Sequence, residues 1–164
     1  TRSQYLLDLK HFLGTYQPEF TEESSKLITV PICYDDEFAL DMNEILLSKG
    51  LSKAEVINAH CQIVYQVKMI GFTPGFIYLG DLSDELILPR LKTPRVFVPP
   101  GSIGIANKRT GIYSLGGPGG WPIIGRTPTN FFDPMKESPL SIQPGMRLRF
   151  ESITKEEFSN MLSN

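Results

Sequence analysis

Hydrophobic and polar positions follow two different periods along this chain. Up to residue 63, apolar residues recur mostly at helical spacing. From Val64 onward they fall in short apolar or alternating runs that are bounded by Gly and Pro. The pattern therefore predicts a helical first part followed by a region of short strands.

The first predicted elements are a helix, a connector and a strand. Apolar residues at helical spacing predict an amphipathic helix over residues 2–13, which Gly14 ends. The polar stretch 15–26 contains Pro18 and is typical of a connector. The apolar run Leu27–Tyr34 predicts a strand.

Two further helices are predicted after this strand. Asp35 or Asp36 is expected to cap a helix that ends at Gly50, because a carboxylate accepts hydrogen bonds from the free amides of a first helical turn. Ser52 and Glu55 form a capping-box pattern at the start of the next helix. Each cap stabilises its helix by about 1 kcal/mol.

Short strands are predicted for most of the remaining chain. They are Val64–Ile70, Phe76–Leu79, Arg95–Val98, Ser102–Ala106, Thr110–Leu115, Trp121–Ile124, Asn130–Phe132 and Met146–Glu151. Short strands with turn signals about every 8–12 residues are typical of a barrel or a sandwich. A second capping box, Thr154 with Glu157, predicts a short helix after the last strand. The fold class predicted is mainly β with flanking helices (α+β).

The composition is that of one globular domain, and it excludes several classes of protein. The 164 residues are 41% hydrophobic and 21% charged, with a formal net charge of −2. A charge so close to neutral argues against a nucleic-acid-binding protein, and the apolar runs are too short for a transmembrane helix. Since the chain shows no signal peptide and begins with Thr1, we expect a cytoplasmic protein that is a piece of a longer chain.

Glycine, proline and positive charge are concentrated in one part of the chain. Residues 71–128 contain 11 of the 14 glycines and 8 of the 13 prolines. The overlapping stretch Leu86–Phe132 has no acidic residue and six basic ones, which are Arg90, Lys92, Arg95, Lys108, Arg109 and Arg126. This part of the chain is predicted to be a turn-rich, mildly cationic β region.

Three arginines of the cationic stretch are candidates for binding an anion. Arg90, Arg95 and Arg126 lie close to Pro or Gly and far in sequence from any acidic residue. A guanidinium group can bind a carboxylate or a phosphate through two parallel hydrogen bonds. The alternative for each arginine is an ion pair with a distant Asp or Glu, or a position facing water.

His60 is the candidate catalytic residue, because an imidazole exchanges a proton near neutral pH. It lies on or beside the apolar face of its predicted helix, so the alternative is a packed or capping histidine. Cys33 and Cys61 are interpreted as buried free thiols. The spacing of the two cysteines and two histidines does not fit a structural zinc site, so no metal is expected.

The segment Gly120–Thr127 has the spacing of a phosphate-binding P-loop, with Arg126 at the lysine position. We reject a P-loop because Pro122 lacks a backbone amide and Pro128 prevents the helix that must follow. Several aromatic residues of the same region are expected to belong mostly to the core, with one or two lining a groove: Phe72, Phe76, Tyr78, Tyr113 and Trp121.

An ordered series of irregular runs carries a family resemblance. The runs are Pro31–Tyr34, Leu40–Asp41, Gly71–Gly80, Pro89–Leu91, Thr93–Arg95, Val98–Pro99, Gly101–Ala106, Thr110–Tyr113, Pro118–Trp121, Ile124–Pro128, Phe132–Pro134 and Pro144–Gly145. In these runs the chain resembles the KipI/PxpB family, also called the allophanate hydrolase subunit 1 family. The resemblance implies a cyclophilin-like β-barrel over residues 27–164, with residues 1–26 as the remnant of an N-terminal domain and its connector.

The resemblance also implies a function. It is that of one component of a bacterial ATP-dependent 5-oxoprolinase, which opens 5-oxoproline to glutamate together with a KipA/PxpC-like partner and a PxpA-like third subunit, with ATP bound in the assembled complex. The alternatives are a KipI-like module that inhibits a histidine kinase, and the carboxyltransferase component of a urea-carboxylase-like enzyme. On the first hypothesis, His60 is catalytic, the substrate is bound by Arg90, Arg95, Arg126, Tyr113, Phe72 and Tyr78, and the cofactor is bound by Gly117, Gly119 and Gly120.

Overall fold

Strands dominate the part of the chain that the structure describes, residues 27–163 of a computed structural model. The strands are β1 (Leu27–Cys33), β2 (Val64–Ile70), β3 (Ile77–Asp81), β4 (Arg95–Val98), β5 (Ser102–Ala106), β6 (Arg109–Tyr113), β7 (Gly117–Gly119), β8 (Ile123–Arg126) and β9 (Arg147–Ile153). The helices are α1 (Met42–Lys49), α2 (Lys53–Cys61) and α3 (Lys155–Leu162), with a short 3₁₀ helix at Asp84–Leu86.

Seven of these strands close into a barrel in the order β1–β8–β5–β6–β3–β2–β9. β1 runs parallel to β9 over its whole length, from Leu27 opposite Arg147 to Cys33 opposite Ile153. This pairing closes the barrel and removes the free edges that an open sheet would leave. β4 and β7 form a separate two-stranded sheet. The mainly β architecture and the barrel expected from the sequence are confirmed.

Apolar side chains from alternate strand positions fill the barrel. Val30 and Ile32 of β1 are fully buried, and so is Leu148 of β9. A second and smaller cluster includes residues of the two-stranded sheet as well as of the barrel: Phe76, Val98, Ala106, Tyr113, Trp121 and Ile123. This second cluster lies beneath the candidate site.

Both predicted capping boxes are present. The Glu55 amide donates to the Ser52 hydroxyl, and the Glu55 carboxylate accepts a hydrogen bond from the Ser52 amide at 2.7 Å. Thr154 and Glu157 make the same two bonds at the start of α3. Local sequence was sufficient here because a capping box is completed within four residues.

The start of α1 differs from the prediction. The Asp35 carbonyl accepts hydrogen bonds from the amides of Phe38 and Ala39, which closes a separate turn, and the helix begins only at Met42. Neither Asp35 nor Asp36 is therefore the helix cap. The predicted end is confirmed, since Gly50 has a left-handed φ of 65° and donates its amide to a carbonyl of the last turn.

One strand prediction is wrong, and the predicted bounds of another are displaced. Residues 130–132 contain only an isolated bridge from Phe132, and the Asn130 side chain accepts a hydrogen bond from the Phe132 amide as in a turn. The predicted strand at residues 121–124 begins later, at Ile123, after Pro122, which has no amide to donate to a ladder. The short strand β7 was not predicted because glycine and proline disfavour strands.

The helix predicted over residues 2–13 and the connector after it lie outside the described residues. Among residues 27–163, no helix is long and apolar enough to cross a membrane.

Candidate functional site

A small cleft brings together six of the residues that were predicted from the sequence to bind the substrate or the cofactor. Its lining consists of Phe72, Phe76, Tyr78, Arg90, Tyr113, Gly119, Gly120 and Trp121, and we call it the aromatic cleft. Its volume is about 60 Å³. These residues come from segments far apart in sequence, so the barrel and the β4–β7 sheet together create the cleft.

Phe76 is the centre of the aromatic packing in this cleft. Its ring is 4.5 Å from the ring of Tyr78, 4.8 Å from that of Tyr113 and 5.6 Å from that of Trp121, measured between centroids. The last two contacts are edge-to-face, the arrangement that aromatic quadrupoles prefer. The floor of the cleft is therefore apolar and held in place by interlocked rings.

Arg90 supplies the positive charge of the aromatic cleft. Its guanidinium carbon lies 6.0 Å from the centroid of the Trp121 ring, at the outer limit of a cation–π contact. Among the described residues Arg90 makes no ion pair, and the next residue, Leu91, anchors the segment by donating its amide to Gly120 O at 2.8 Å. An exposed guanidinium without a carboxylate partner is available to a ligand.

Tyr113 adds a polar group to the apolar floor. Burial raises the pKa of its phenol, and the Trp121 amide and the charges of Arg90 and Arg95 only partly oppose this effect. The phenol is therefore protonated at neutral pH and can donate a hydrogen bond. Gly119 makes room for it, because a Cβ at that position would lie 2.7 Å from Tyr113 Cε1.

The three nominated glycines occupy different environments. Gly119 and Gly120 line the aromatic cleft, whereas Gly117 does not. Gly117 and Gly119 are paired with Val98 and Arg95 in the β4–β7 sheet, so the segment is a strand and not a loop. Residues 123–126 likewise form a strand where a P-loop would begin its helix.

Phe72 stands at the edge of the cleft in a strained conformation. Its φ is 74°, in the left-handed region that side chains other than glycine rarely adopt, and 70% of the residue is exposed. Its ring meets Phe76 edge-on at 6.1 Å. Strain of this kind concentrates at ligand sites, which favours a binding role for this exposed ring.

Arg95 has a partner that the sequence did not reveal. Its guanidinium binds both carboxylate oxygens of Asp41, at 2.6 Å and 3.0 Å. Asp41 is almost completely buried and also accepts a hydrogen bond from the Ile123 amide at 2.6 Å. The alternative of an ion pair with a distant acidic residue therefore holds for Arg95, and the pair joins α1, β4 and β8.

Arg126 lies apart from the other two arginines. Its Nε donates to the Pro100 carbonyl at 2.7 Å, and the side chain lines a different cleft, together with Leu115 and Phe158 among others. The three arginines therefore do not form one site. Arg90 lies at the aromatic cleft, Arg95 is paired with Asp41, and Arg126 lines the separate cleft beside Leu115.

His60 lies in the interior of the barrel, with no solvent exposure. Its Nδ1 is 2.7 Å from the Tyr34 hydroxyl and its Nε2 is 3.0 Å from the Thr110 hydroxyl, while its ring stacks on Phe150 at 4.5 Å. Burial lowers the pKa of His60 to about 3, so the imidazole is neutral. This position agrees with the packed-histidine alternative and keeps the residue out of the aromatic cleft.

The carboxyltransferase domain family, subdomains C and D, has a family model that matches residues 3–142 of this chain. The chain belongs to this family. Two relatives at similar identity are each named as the B subunit of 5-oxoprolinase: that of Bacillus subtilis is 38% identical over 84% of this chain, and that of Escherichia coli O157:H7 is 40% identical over 82%. They confirm the resemblance to the KipI/PxpB family.

Two solved structures share the fold of this chain. The Pyrococcus horikoshii protein PH0987 is 43% identical, with a TM-score of 0.78 over 82% of this chain and 62% of its own. The Kluyveromyces lactis urea carboxylase is 18% identical, with a TM-score of 0.68 over 84% of this chain and 15% of its own, which shows the fold alone. The chain spans 57% and 62% of the length of the two bacterial 5-oxoprolinase subunits.

Within this carboxyltransferase-type domain, Asp41 is the residue that sequence reasoning missed as a partner of the site. The sequence offered one signal, since Asp41 belongs to the family run Leu40–Asp41. In the structure it lies directly before α1, but its side chain makes no capping hydrogen bond and binds Arg95 instead. Phe76 and Trp121 were expected in the core, and they are buried there while also lining the cleft. Among the described residues, no group of three or more His, Cys, Asp or Glu side chains could hold a metal ion.

Proposed function

We propose that this domain is the substrate-binding part of the B subunit of a 5-oxoprolinase, and that the aromatic cleft holds 5-oxoproline. Two relatives that carry this name are 38% and 40% identical over more than four fifths of the chain. The observation that carries the proposal is Arg90, an unpaired cation at the edge of a small aromatic cleft. The reaction proposed is the ATP-dependent opening of the lactam ring to glutamate.

The chemistry of the cleft matches the chemistry of 5-oxoproline, a five-membered lactam with one carboxylate. The planar fork of Arg90 suits that carboxylate, since a guanidinium binds it through two parallel hydrogen bonds. The flat ring would lie against Phe72, Tyr78 and Trp121. The protonated Tyr113 phenol is a donor for the lactam carbonyl, where negative charge develops as the ring opens.

The cleft is too small to enclose this ligand by itself. Its volume of about 60 Å³ is far below the range of about 300–1,000 Å³ that is typical of small-molecule sites. The apolar residues Phe72, Val96 and Phe97 are 70%, 91% and 60% exposed, and they belong to or adjoin the segments that form the cleft. This supports a site completed by a KipA/PxpC-like partner, with a PxpA-like protein as the third subunit.

ATP belongs to the assembled complex in this proposal. When bound, it would supply the phosphoryl group that activates the lactam carbonyl. The nominated Gly117, Gly119 and Gly120 do not fit a phosphate cradle, because the first two are paired within the β4–β7 sheet. We assign no step of phosphoryl transfer to residues of this chain.

The test is reconstitution with the partner subunits, followed by measurement of 5-oxoproline-dependent ATP hydrolysis and glutamate formation. Arg90→Ala removes a bidentate, charged hydrogen bond that contributes about 2 kcal/mol. This variant is therefore expected to lower kcat/KM about 30-fold. Lys108→Ala, which removes an exposed cation of the same acid-free stretch, is the matched control and should remain within about twofold of the parent. Full activity of folded Arg90→Ala would contradict the assigned site, and an inactive parent complex would contradict the proposed reaction.

A carboxyltransferase component is the second candidate, because the matching family model carries that description. It requires a biotin-bearing partner. Carboxyl transfer that depends on added biotinylated carrier protein, with no turnover of 5-oxoproline, would favour this candidate over the first.

A further inference from the structure

A second cleft lies between α1 and the segment 88–92, and we call it the helix cleft. Its volume is about 420 Å³, which falls within the range of about 300–1,000 Å³ typical of small-molecule sites. Its lining consists of Asp41, Glu44, Ile45, Ser48, Leu88, Pro89, Arg90, Leu91, Lys92 and Pro122. Only Arg90 is shared with the aromatic cleft.

Hydrogen bonds from several elements hold the wall of the helix cleft in place. Lys49, at the end of α1, donates its ammonium group to the Ile87 carbonyl at 2.5 Å. The Asn107 amide donates to Leu88 O at 2.5 Å, and the Leu91 amide donates to Gly120 O at 2.8 Å. Because the segment is fixed on both sides, the cleft is formed before any ligand arrives.

The floor of the helix cleft is apolar. Ile45 is 2% exposed, and Leu88, Leu91 and Pro122 complete the surface. Asp41 also reaches the cleft, but Arg95 and the Ile123 amide already satisfy its carboxylate. The floor therefore offers burial to a hydrocarbon group and carries no uncompensated charge.

Charges of both signs stand at the rim without neutralising one another. Glu44, in the first turn of α1, supplies the negative charge, and Lys92 and Arg90 supply the positive charge. All three side chains are exposed. Within the described part of the chain, none of them makes an ion pair or a side-chain hydrogen bond.

We propose that the helix cleft binds an aliphatic α-amino acid. The ammonium group would lie at Glu44, the carboxylate at Lys92 and Arg90, and the hydrocarbon side chain on Ile45, Leu88 and Leu91. A zwitterion satisfies both signs of charge at once, whereas a simple acid leaves Glu44 unpaired and a simple amine leaves the two cations unpaired. An acidic side chain would face the apolar floor at a desolvation cost, which selects an aliphatic one.

The first test compares ligands on the complete chain. Trp121 is the single tryptophan and lies beneath Arg90, so its fluorescence, together with titration calorimetry, reports binding. L-Leucine is expected to bind, and N-acetyl-L-leucine and L-leucinamide, which each lack one charge, should bind about fivefold more weakly. Absence of leucine binding, or tighter binding of L-glutamate than of L-leucine, would overturn the proposal.

The second test assigns each charge to its residue. Glu44→Gln should weaken leucine about fivefold and leave N-acetyl-leucine unchanged, whereas Lys92→Gln should weaken both. Glu156→Gln, in the first turn of α3, and Lys108→Gln are the matched controls, expected within about twofold of the parent. Unchanged leucine affinity in folded Glu44→Gln and Lys92→Gln would refute this assignment. Neither residue lines the aromatic cleft, so turnover of 5-oxoproline tests the proposed function separately.

Discussion

Among single residues, Gly119 and Tyr113 depend on each other because the Tyr113 ring packs directly against the Gly119 backbone. The phenol occupies the space that a side chain at position 119 would need. A Cβ at that position would lie 2.7 Å and 2.8 Å from ring atoms of Tyr113. Tyr113 in turn packs edge-on against Phe76 in the floor of the aromatic cleft. A single added methyl group therefore disturbs the ring on which the proposed ligand contact depends.

We expect Gly119→Ala to lower the free energy of unfolding by about 1–3 kcal/mol, because an overpacked methyl group forces neighbouring atoms to shift. Urea unfolding measures this change. Gly117→Ala is the matched control, since a Cβ at position 117 meets nothing within 4 Å. Equal stability of the two variants would show that Tyr113 does not occupy the position described.

At the scale of elements, the Asp41–Arg95 pair fastens the β4–β7 sheet to the barrel. Arg95 belongs to β4, Asp41 precedes α1, and the third partner, the Ile123 amide, belongs to β8. The barrel holds β8 through its pairing with β1 and β5. One buried carboxylate thus fixes where the sheet that borders the aromatic cleft meets the barrel.

Asp41→Asn is expected to lower the free energy of unfolding by about 2 kcal/mol, since charged hydrogen bonds contribute roughly 1.5–3 kcal/mol and Arg95 is partly solvated. Thermal and urea unfolding measure the loss. The exposed pair Arg109–Asp81 provides the comparison, and Asp81→Asn should cost less than about 1 kcal/mol. Similar losses in both variants would contradict the special role given to Asp41.

At the scale of the whole molecule, the barrel encloses a chain of hydrogen bonds through His60. The Thr110 hydroxyl donates to Gly104 O, so it accepts from His60 Nε2–H, and His60 Nδ1 accepts from the Tyr34 hydroxyl. Tyr34, 26 residues from His60, and Thr110, 50 residues away, meet it only because the barrel closes. A neutral imidazole completes this network, and a protonated one would break it.

Stability should therefore fall as the pH is lowered from 7 to 5. The folded-state pKa of His60 is about 3, against 6.5 for an unperturbed histidine, so in this range the unfolded chain binds a proton that the folded chain does not. The contribution of His60 to the loss is about 2 kcal/mol. Urea unfolding of the parent and of His60→Gln measures it, and the variant should lose correspondingly less between the two pH values. An identical pH dependence of the parent and the variant would show that His60 binds a proton as readily in the folded chain as in the unfolded chain.

Interactions between near neighbours in sequence were predictable. The strands Val64–Ile70, Arg95–Val98 and Ser102–Ala106 have the predicted bounds, and both capping boxes are present. Side-chain alternation and capping act within a few residues, so the local pattern determines them. The start of α1 was misplaced because the aspartate nearest its true start is engaged with Arg95 instead of with the helix.

A mainly β chain, the end of α1, two capped helices and the set of aromatic and cationic residues of the site are predictable from the amino-acid sequence. The distribution of those residues over the molecule depends on how the chain packs in three dimensions. This packing places Arg90 at the aromatic cleft, pairs Arg95 with an aspartate 54 residues away, and encloses His60 in the barrel. Strand pairing brings residues that are far apart in sequence into contact, and the closure of the barrel joins the first described strand to the last. Ion partners and buried positions therefore follow from long-range pairing and not from local sequence.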